Sequence, residues 1–359
     1  MTVVVVGSVN VDFVANVARF PRRAETITAT KNLELSCGGK GANQCVAARR
    51  LLSKATDSKS SNGDAVVYFA ACVGRDEFAA TALRNLKENG VDLGCVHHEE
   101  DVRTGCAFIL VEEETGENTI TVVPGANYAF HPTYVMREPL QRFIEEARVI
   151  LLQLEIPLET VLATASLATT SAHSTLILNP APFPTGDEGL PLQLLECVDV
   201  LVVNEVEAQS LASTVHTASS ASDLPLLAAS LTRRLHEFVG REMCLFLTAG
   251  SRGVFLCTGD DAFCVIHIAA VDLASAGLTA INSVGAGDTF CGALGAYLQE
   301  NPLDAASESS LDYFTRAARF ASAAAAISVT RHGAQESMPE KAEVEQLLAS
   351  LPYDKATRI

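Results

Sequence analysis

Residues 2–12 read T-V-V-V-V-G-S-V-N-V-D, and this stretch decides the fold. Its β-branched run ends at Gly7 and leaves no polar face, as is typical of a strand buried on both sides within a parallel sheet. Similar apolar runs follow at 65–73, 149–154, 175–178, 199–203 and 243–248. Amphipathic helical patterns lie between them at 76–89, 158–172 and 224–239. Because buried strands alternate with helices, the sequence predicts an α/β fold with a doubly wound, mainly parallel sheet flanked by helices.

Three further stretches, 26–35, 105–112 and 118–123, alternate apolar and polar residues with a period of two. Such alternation is typical of strands with one exposed face, and the E-T-G-E turn at 114–117 joins the last two stretches as a hairpin. We therefore expect a small antiparallel sheet inserted into the α/β domain. Its exposed face would cover a ligand, a partner or both. An ordinary surface hairpin without function is the alternative.

The chain is acidic, with 26 Lys and Arg against 43 Asp and Glu among its 359 residues, and its net charge is −17. It has no run of basic residues, so we expect no nucleic-acid partner, because the phosphate backbone repels an acidic surface. No apolar run approaches the roughly 20 residues that a membrane span needs, so we expect no membrane partner. Three polar segments, 53–64, 183–190 and 213–222, are interpreted as surface loop insertions.

The ten cysteines are scattered along the chain, with no C-x-x-C pair and no Cys/His cluster at zinc spacing. The N-terminus has no charged and then apolar signal region. The cysteines therefore indicate reduced core thiols in a cytoplasmic protein, and a redox or metal role is the alternative.

A glycine-rich motif, S-V-G-A-G-D-T-F at 283–290, opens a helix of small residues. The first backbone N–H groups of a helix lack partners and favour anions. Asp288 among them has two interpretations: an N-cap, or a general base that takes a proton from a hydroxyl while the N–H groups stabilise a phosphoryl group. The motif is neither a Walker A loop, because no G-x-x-x-x-G-K-[ST] occurs, nor a dinucleotide-binding G-x-G-x-x-G.

A second glycine-rich motif, C-G-G-K-G-A-N-Q at 37–44, opens another helix and places Asn43 in its first turn. Asn10 and Asp12 follow the first strand on one face, and their side chains offer the hydrogen bonds that a vicinal diol needs. Polar groups also follow later strands, at Glu155, 204–207 and 248–253. Each of these polar groups alone could be a helix cap or part of a turn. Together they predict a ligand site at the carboxyl edge of the sheet.

These motifs resemble the ribokinase/phosphofructokinase-B family of carbohydrate kinases, over residues 3 to about 339. The resemblance is carried by G-S-V-N-V-D at 7–12, G-G-K-G-A-N-Q at 38–44, Q-L-E at 153–155, N-P-A-P at 179–182, N-E-x-E at 204–207 and G-A-G-D at 285–288. The motifs are closer to ribokinases than to adenosine kinases or fructokinases. The resemblance implies one domain, 1–359, whose β lid is formed at about 13–36 and 95–124, and a homodimer that pairs through this lid.

The resemblance also implies ATP-dependent phosphorylation of D-ribose at O5. The base is then Asp288, and the anion hole is formed by Gly285, Ala286 and Gly287. The implied ribose ligands are Asn10, Asp12, Gly38, Gly39, Lys40, Asn43 and Glu155. The implied ATP contacts are Asn204, Glu207, Thr248, Gly250, Ser251, Gly253, Gly287 and Ser322. Glu207 would hold Mg²⁺ through water. For Lys40, a solvated or structural lysine remains an equal alternative.

One position departs from the family pattern. Potassium-activated ribokinases carry Asp six residues before the base, and this chain has Asn282. An amide offers an oxygen but lacks the charge that favours a cation, so we expect a weaker or altered K⁺ dependence. The other implied positions of the monovalent cation are Val284, Ser328, Gly333 and Ser337. Ser322 stands where relatives hold His, so adenine contacts are expected to differ.

Two further interpretations stay open at this point. The same chemistry could act on another acceptor, such as 2-deoxyribose, another pentose or adenosine. A regulator that binds sugar or nucleotide without catalysis is of a different class, and the intact G-A-G-D motif argues against it because such a protein needs no base.

Overall fold

The computed structural model describes residues 2–53, 65–171, 173–184, 189–217, 223–259, 264–304, 306–351 and 356–359. The strands are β1 (Thr2–Val6), β2 (Asn10–Val17), β3 (Glu34–Gly38), β4 (Val66–Gly74), β5 (Asp92–Glu99), β6 (Gly105–Glu112), β7 (Asn118–Val123), β8 (Val149–Leu152), β9 (Thr175–Leu178), β10 (Val200–Asn204), β11 (Cys244–Thr248), β12 (Val254–Cys257), β13 (Val265–Ile268) and β14 (Thr357–Arg358). Part of each predicted loop insertion, at 54–64, 185–188 and 218–222, lies outside the described residues.

The helices alternate with the strands through most of the chain. They are α1 (Lys40–Leu51), α2 (Glu77–Glu88), α3 (Pro132–Val135), α4 (Leu140–Glu146), α5 (Leu158–Ala168), α6 (Leu192–Leu195), α7 (Glu205–Thr214), α8 (Leu224–Val239), α9 (Ala286–Glu300), α10 (Ser310–Ser328) and α11 (Lys341–Ser350). Short 3₁₀ turns occur at Gly125–Ala129 and Gly250–Arg252.

Ten strands of the described chain form the main sheet, in the order β14-β13-β12-β11-β10-β9-β8-β1-β4-β5. The pairs from β11 through β10, β9, β8, β1 and β4 to β5 are parallel, and the pairs among β11, β12, β13 and β14 are antiparallel. The predicted α/β class with a mainly parallel sheet is thus confirmed. The first strand, β1, lies between β8 and β4, third from the β5 edge of the sheet.

The valines of β1 show why this strand needs no polar face. Val3 and Val5 belong to a core that also contains residues of α1, α2, α9, α10 and α11. Val4 and Val6 point to the opposite side, into a core shared with α3 to α8. Each face of the sheet is therefore covered by a layer of helices, and β-branched side chains are buried on both faces. No helix of the described residues has the length and apolarity to cross a membrane.

A smaller sheet of four described strands, in the order β3-β2-β6-β7, stands beside the main sheet. Its outer pairs are antiparallel, as expected, while the central β2–β6 pair is parallel. Residues 26–33 form no strand, and all of them except Ile27 are exposed. Residues 95–99, which the family resemblance placed in the lid, belong to β5 at the edge of the main sheet instead.

The chain reverses its direction of winding around β1. From β1 it proceeds through β4 to β5 on one side, and then returns to β8 on the other. The carboxyl ends of β1 and β8 therefore flank a topological switch point, where open α/β sheets form a crevice for ligands. The small sheet begins here as well, because β2 follows β1 after three residues.

Candidate active site

The Asp288 carboxylate lies near the start of α9 and is 7% exposed. The helix is preceded by Gly285, whose φ of +77° is the left-handed conformation that glycine adopts without strain. No side-chain cap closes this helix, so Asp288 does not act as the N-cap that the motif alone favoured. Its carboxylate instead accepts hydrogen bonds from α1: Asn43 Nδ2 donates to Oδ2 at 2.8 Å, and Gln44 Nε2 donates to Oδ1 at 3.1 Å.

Gly292 explains how α1 comes so close to α9. A Cβ at this position would lie 2.6 Å from the carbonyl oxygen of Gln44 and 2.5 Å from the Cβ of Ala47. Only a residue without a side chain allows this approach, and the approach places Asn43 and Gln44 within hydrogen-bonding distance of Asp288. Sequence reasoning did not single out Gly292, although its position in the helix that starts with the G-A-G-D motif was an available signal.

The start of α9 offers room and donors for an anion. The N–H of Ala286 donates to the carbonyl of Ser283 at 3.2 Å, so this predicted member of the anion hole is already occupied. In the described part of the chain nothing lies within 4 Å of a Cβ built on Gly287, which therefore borders open space. Of the predicted three, Gly287 is the residue best placed to present an N–H to a phosphoryl group.

The predicted sugar ligands Asn10 and Asp12 lie on β2 between β3 and β6. Both neighbouring strands present glycine to them. A Cβ at Gly38 would lie 2.2 Å from Asp12 Oδ2, and a Cβ at Gly105 would lie 2.3 Å from Asn10 Oδ1. The backbone at Gly39 has a φ of +89° and packs on Val9. These glycines leave the two polar side chains room on one face of the small sheet.

Asn127 is a site residue that the sequence analysis missed. It is 1% exposed, donates to Asn10 Oδ1 at 2.8 Å and accepts from the N–H of Val9 at 2.9 Å. These bonds fix the orientation of the Asn10 amide. The available signal was the G-A-N run that follows β7, but it requires a contact across 117 residues of sequence.

Asp12 has an unusual protonation equilibrium. Burial, reinforced by the carboxylates of Glu155 and Glu336, raises the pKa of Asp12 from 3.8 to about 7. Concentrating negative charge in a crevice is unfavourable for folding, and a neutral polyol that donates hydroxyl groups to these oxygens would relieve part of the cost.

Glu155 follows β8 and faces the end of β1 across the switch point. Its Oε2 accepts from Ser8 Oγ at 2.6 Å and from the N–H of Lys40 at 2.9 Å. Ser8 is fully buried, and sequence reasoning did not assign it a role. The carboxylate thus ties the start of α1 to β1, while its second oxygen has no such hydrogen bond among the described residues.

Lys40 is a cation that interacts electrostatically with the candidate base. Burial opposes its charge, but the carboxylates of Asp288, Glu155 and Glu207 outweigh burial and raise the pKa of the Lys40 ammonium. The surrounding carboxylates favour an electrostatic role in the site over the alternative of a solvated lysine.

The predicted nucleotide positions lie at the ends of β10 and β11. Asn204 and Glu207 form a capping box at the start of α7, in which the Asn204 N–H donates to Glu207 Oε2 at 2.9 Å. Burial raises the pKa of the Glu207 carboxyl, against the opposing effects of that N–H and of Lys40. Thr248 Oγ1 donates to the carbonyl of Val203 at 3.3 Å, which fastens the ends of β10 and β11 together.

The turn between β11 and β12 contains the other predicted nucleotide positions, Gly250, Ser251 and Gly253. Gly250 has a φ of +54°, and a Cβ at Gly253 would lie 2.1 Å from the carbonyl oxygen of Ile268. Ser322 lies on α10, which packs against β12. Its buried Oγ has no hydrogen-bond partner in the described part of the chain.

The predicted cation positions come from two segments that the fold brings together. The N–H groups of Ile281 and Asn282 both donate to the carbonyl of Val329, at 2.7 and 3.1 Å. The Asn282 Oδ1 accepts from the N–H of Val284 at 2.9 Å. Ser328 Oγ and Ser337 Oγ donate to nearby carbonyls, and Gly333 has a φ of +87°. Residues 281–284 and 328–337 are therefore adjacent, and the side-chain oxygens of Asn282, Ser328 and Ser337 already take part in local hydrogen bonds.

Among the described residues there is no cluster of three or more His, Cys, Asp or Glu side chains that could hold a metal. The candidate for Mg²⁺ that the family resemblance names is Glu207. A single carboxylate fits this ion, because Mg²⁺ commonly keeps several waters and is shared between one or two carboxylates and substrate phosphates.

The pfkB family of carbohydrate kinases matches this chain over residues 1–341, and the chain therefore belongs to this family. It is 34% identical to a ribokinase of Haemophilus influenzae, over 97% of this chain and 98% of that protein. Its fold is similar to ribokinase of Giardia lamblia, with a TM-score of 0.80, 28% identity and coverage of 97% and 98%. It is also similar to Arabidopsis thaliana ribokinase complexed with ribose and ATP, with a TM-score of 0.77, 27% identity and coverage of 96% and 98%.

Proposed function

We propose that this protein transfers the γ-phosphoryl group of ATP to the 5-hydroxyl of D-ribose. The observation that carries the proposal is the buried Asp288 carboxylate, which lies at an uncapped helix start and accepts hydrogen bonds from Asn43 and Gln44 of α1. The similarity to a ribokinase structure that contains ribose and ATP supports the choice of substrates. A non-catalytic regulator is disfavoured, because a protein that only binds sugar or nucleotide does not need a general base held in place by two hydrogen-bond donors.

The sugar would bind between the small sheet and α1. Asn10, Asp12 and Glu155 would accept from its hydroxyls, and Gly38, Gly39, Lys40 and Asn43 would line the same space. Asp12 selects a neutral polyol, because a negatively charged substrate would add to the repulsion that already raises its pKa to about 7. Discrimination against 2-deoxyribose would follow from the hydrogen bond that the missing hydroxyl leaves unmade.

Phosphoryl transfer then requires few protein groups. Asp288 accepts the proton of the 5-hydroxyl while that oxygen attacks the γ-phosphorus in line. The bond from the γ-phosphorus to the bridging oxygen of ATP breaks as the new bond forms, and ADP leaves. The Gly287 N–H stabilises the charge on the equatorial oxygens. The Lys40 ammonium, surrounded by carboxylates, neutralises charge on the transferring group. Mg²⁺ held by Glu207 through water would neutralise the remaining phosphate charge. The positions 204–207, 248–253 and 322 would form the ATP side of the crevice.

The proposal also includes a homodimer through the small sheet. All residues of β7 are exposed, and Leu35, Phe108 and Ile120 are each at least half exposed. An apolar surface of this kind is unfavourable in water and is typical of an interface.

The proposed function is tested with Asp288→Asn, which keeps the size of the side chain and removes its basicity. ADP production with ribose should fall by several orders of magnitude, while ribose binding measured by calorimetry persists. Thr289→Ser, a conservative change at the next residue, serves as the control. Turnover of Asp288→Asn within tenfold of the wild type would remove Asp288 from the role of base. A panel of ribose, 2-deoxyribose, other pentoses and adenosine identifies the acceptor.

A further inference from the structure

Two chains of buried side-chain amides end on Asp288. In the first, Gln153 Nε2 donates to Gln44 Oε1 at 2.7 Å, and Gln44 donates in turn to Asp288 Oδ1. In the second, Gln335 Nε2 donates to Asn43 Oδ1 at 3.0 Å, and Asn43 donates to Asp288 Oδ2. Gln44 and Gln153 are fully buried, and Gln335 is 1% exposed. Each carboxylate oxygen of Asp288 thus accepts from the end of one such chain of hydrogen-bonded amides, and each chain is called a relay below.

The relays fix the direction of the inner amides. A carboxylate only accepts hydrogen bonds, so the group of Asn43 or Gln44 that faces Asp288 must be the NH₂ group. Either inner amide could turn over, which would present its oxygen to the carboxylate and repel it. The outer glutamines oppose this, because the oxygen of each buried inner amide already accepts a hydrogen bond from an outer glutamine.

The outer glutamines are themselves anchored in different parts of the fold. Gln153 follows β8 and packs on Gly7, where a Cβ would lie 2.1 Å from its Oε1. Gln335 accepts a hydrogen bond from Asn85 of α2, and its backbone carbonyl accepts from Arg50 Nη1 at 2.9 Å. The positions of the base oxygens are therefore set by β8 on one side and by the 329–338 loop on the other.

We propose that Gln153 and Gln335 are positioning residues for the base, acting through Gln44 and Asn43 respectively. This inference rests on the proposed function, in which Asp288 takes the proton of the acceptor hydroxyl. Because both carboxylate oxygens are held, the carboxylate cannot rotate away from the hydroxyl. Misplacement of a reacting group by a fraction of an ångström is costly in rate even where binding is preserved.

The test replaces each outer glutamine with methionine, which has similar length but no donor. Gln153→Met and Gln335→Met should each lower kcat about ten- to a hundredfold and leave KM for ribose within about threefold. Gln299→Met is the matched control. Gln299 lies on α9, the helix that carries Asp288, and is 1% exposed, but its amide atoms have no hydrogen-bond partner among the described residues. It should keep the wild-type kcat. Melting temperatures of all three variants report any purely structural effect.

A titratable replacement gives a signature that a structural role would not produce. In Gln153→Glu, a protonated carboxyl can still donate to Gln44 Oε1, whereas an ionised one cannot. Burial raises the pKa of a carboxyl, so the kcat of this variant relative to the wild type should fall as pH rises through that pKa. The same ratio for Gln153→Met should not change with pH.

Side-chain amide exchange tests the same contacts without turnover. In the methionine variants, the NH₂ hydrogens of Gln44 and Asn43 should exchange with solvent at least tenfold faster by NMR, because the amides are no longer held. If the wild-type protein is inactive on every sugar but the methionine variants show this faster exchange, the proposed function is refuted and the relay is supported. Methionine variants with wild-type kcat and unchanged exchange overturn the relay, as does a kcat loss equal to that of Gln299→Met.

Discussion

The charge of Asp12 costs stability, and removing it should make the protein more stable and less active. Asp12→Asn keeps the shape of the side chain and abolishes its ionisation. The pKa of Asp12 is raised from 3.8 to about 7 in the folded protein, first by burial and then by Glu155 and Glu336. At about 1.36 kcal/mol per pKa unit, this corresponds to on the order of 4 kcal/mol in the free energy of unfolding.

The sign follows from proton binding. Asp12 holds its proton more tightly in the folded chain than in the unfolded chain, so wild-type stability decreases as pH rises from about 4 to about 7 and stays constant above. Asparagine does not titrate. The variant should therefore match the wild type near pH 4 and exceed it by roughly 2 to 4 kcal/mol at pH 8.

The assay is urea unfolding of both proteins at pH 4, 6 and 8, with Glu114→Gln as the control. Glu114 lies in the exposed turn between β6 and β7, so the same carboxyl-to-amide change there should leave the pH dependence unaltered. In parallel, KM for ribose should rise about ten- to a hundredfold in Asp12→Asn, since a hydrogen bond to a charged group is lost. A stability difference that is the same at pH 4 and pH 8 would refute the reasoning.

Three further predictions concern packing, the cation and assembly. Gly292→Ala should push α1 away from α9, destabilise the fold by about 1–3 kcal/mol and lower kcat; unchanged kcat in steady-state assays would show that this contact does not position the base. Asn282→Asp should increase activation by K⁺, because a carboxylate attracts a cation more strongly than an amide, and identical K⁺ titrations in variant and wild type would contradict this. Ile120→Lys, on the exposed face of β7, should shift a dimer toward monomer in analytical ultracentrifugation, whereas Lys87→Glu on α2 should not; a wild-type monomer at micromolar concentration would exclude the proposed assembly.

Much of the fold follows from local patterns. The sequence predicted three elements at or within a residue of their observed bounds: β1, β9 and the helix at Leu224–Val239. Burial on both faces gives a strand a continuous apolar run, and a helix with one buried face has a 3.6-residue apolar period, so both can be recognised from the local sequence. The family resemblance placed residues 95–99 in the small sheet, whereas in the structure they pair with β4 in the main sheet. Alternation specifies a half-exposed strand, but it does not say which neighbour the strand pairs with.

The residues of the candidate site likewise divide into those that local sequence motifs predicted and those that depend on contacts between distant parts of the chain. Residue types and their spacing were enough to nominate Asp288, Asn43 and Glu155, because a carboxylate or amide next to a glycine-rich helix start has few roles. Ser8, Asn127 and Gln335 were missed, since each acts by hydrogen-bonding to a residue far away in the sequence.

The sequence by itself determined the class of fold, the strands β1, β4 and β8 to β11 of the main sheet, and the chemical groups available for phosphoryl transfer. Only the tertiary structure decided whether Asp288 caps its helix or meets the donors of α1, and it did so through a helix contact that Gly292 permits. The physical reason is that hydrophobic periodicity is a property of neighbouring residues. The direction of a buried hydrogen bond depends on which partners folding brings to it, and those partners here lie more than 100 residues apart.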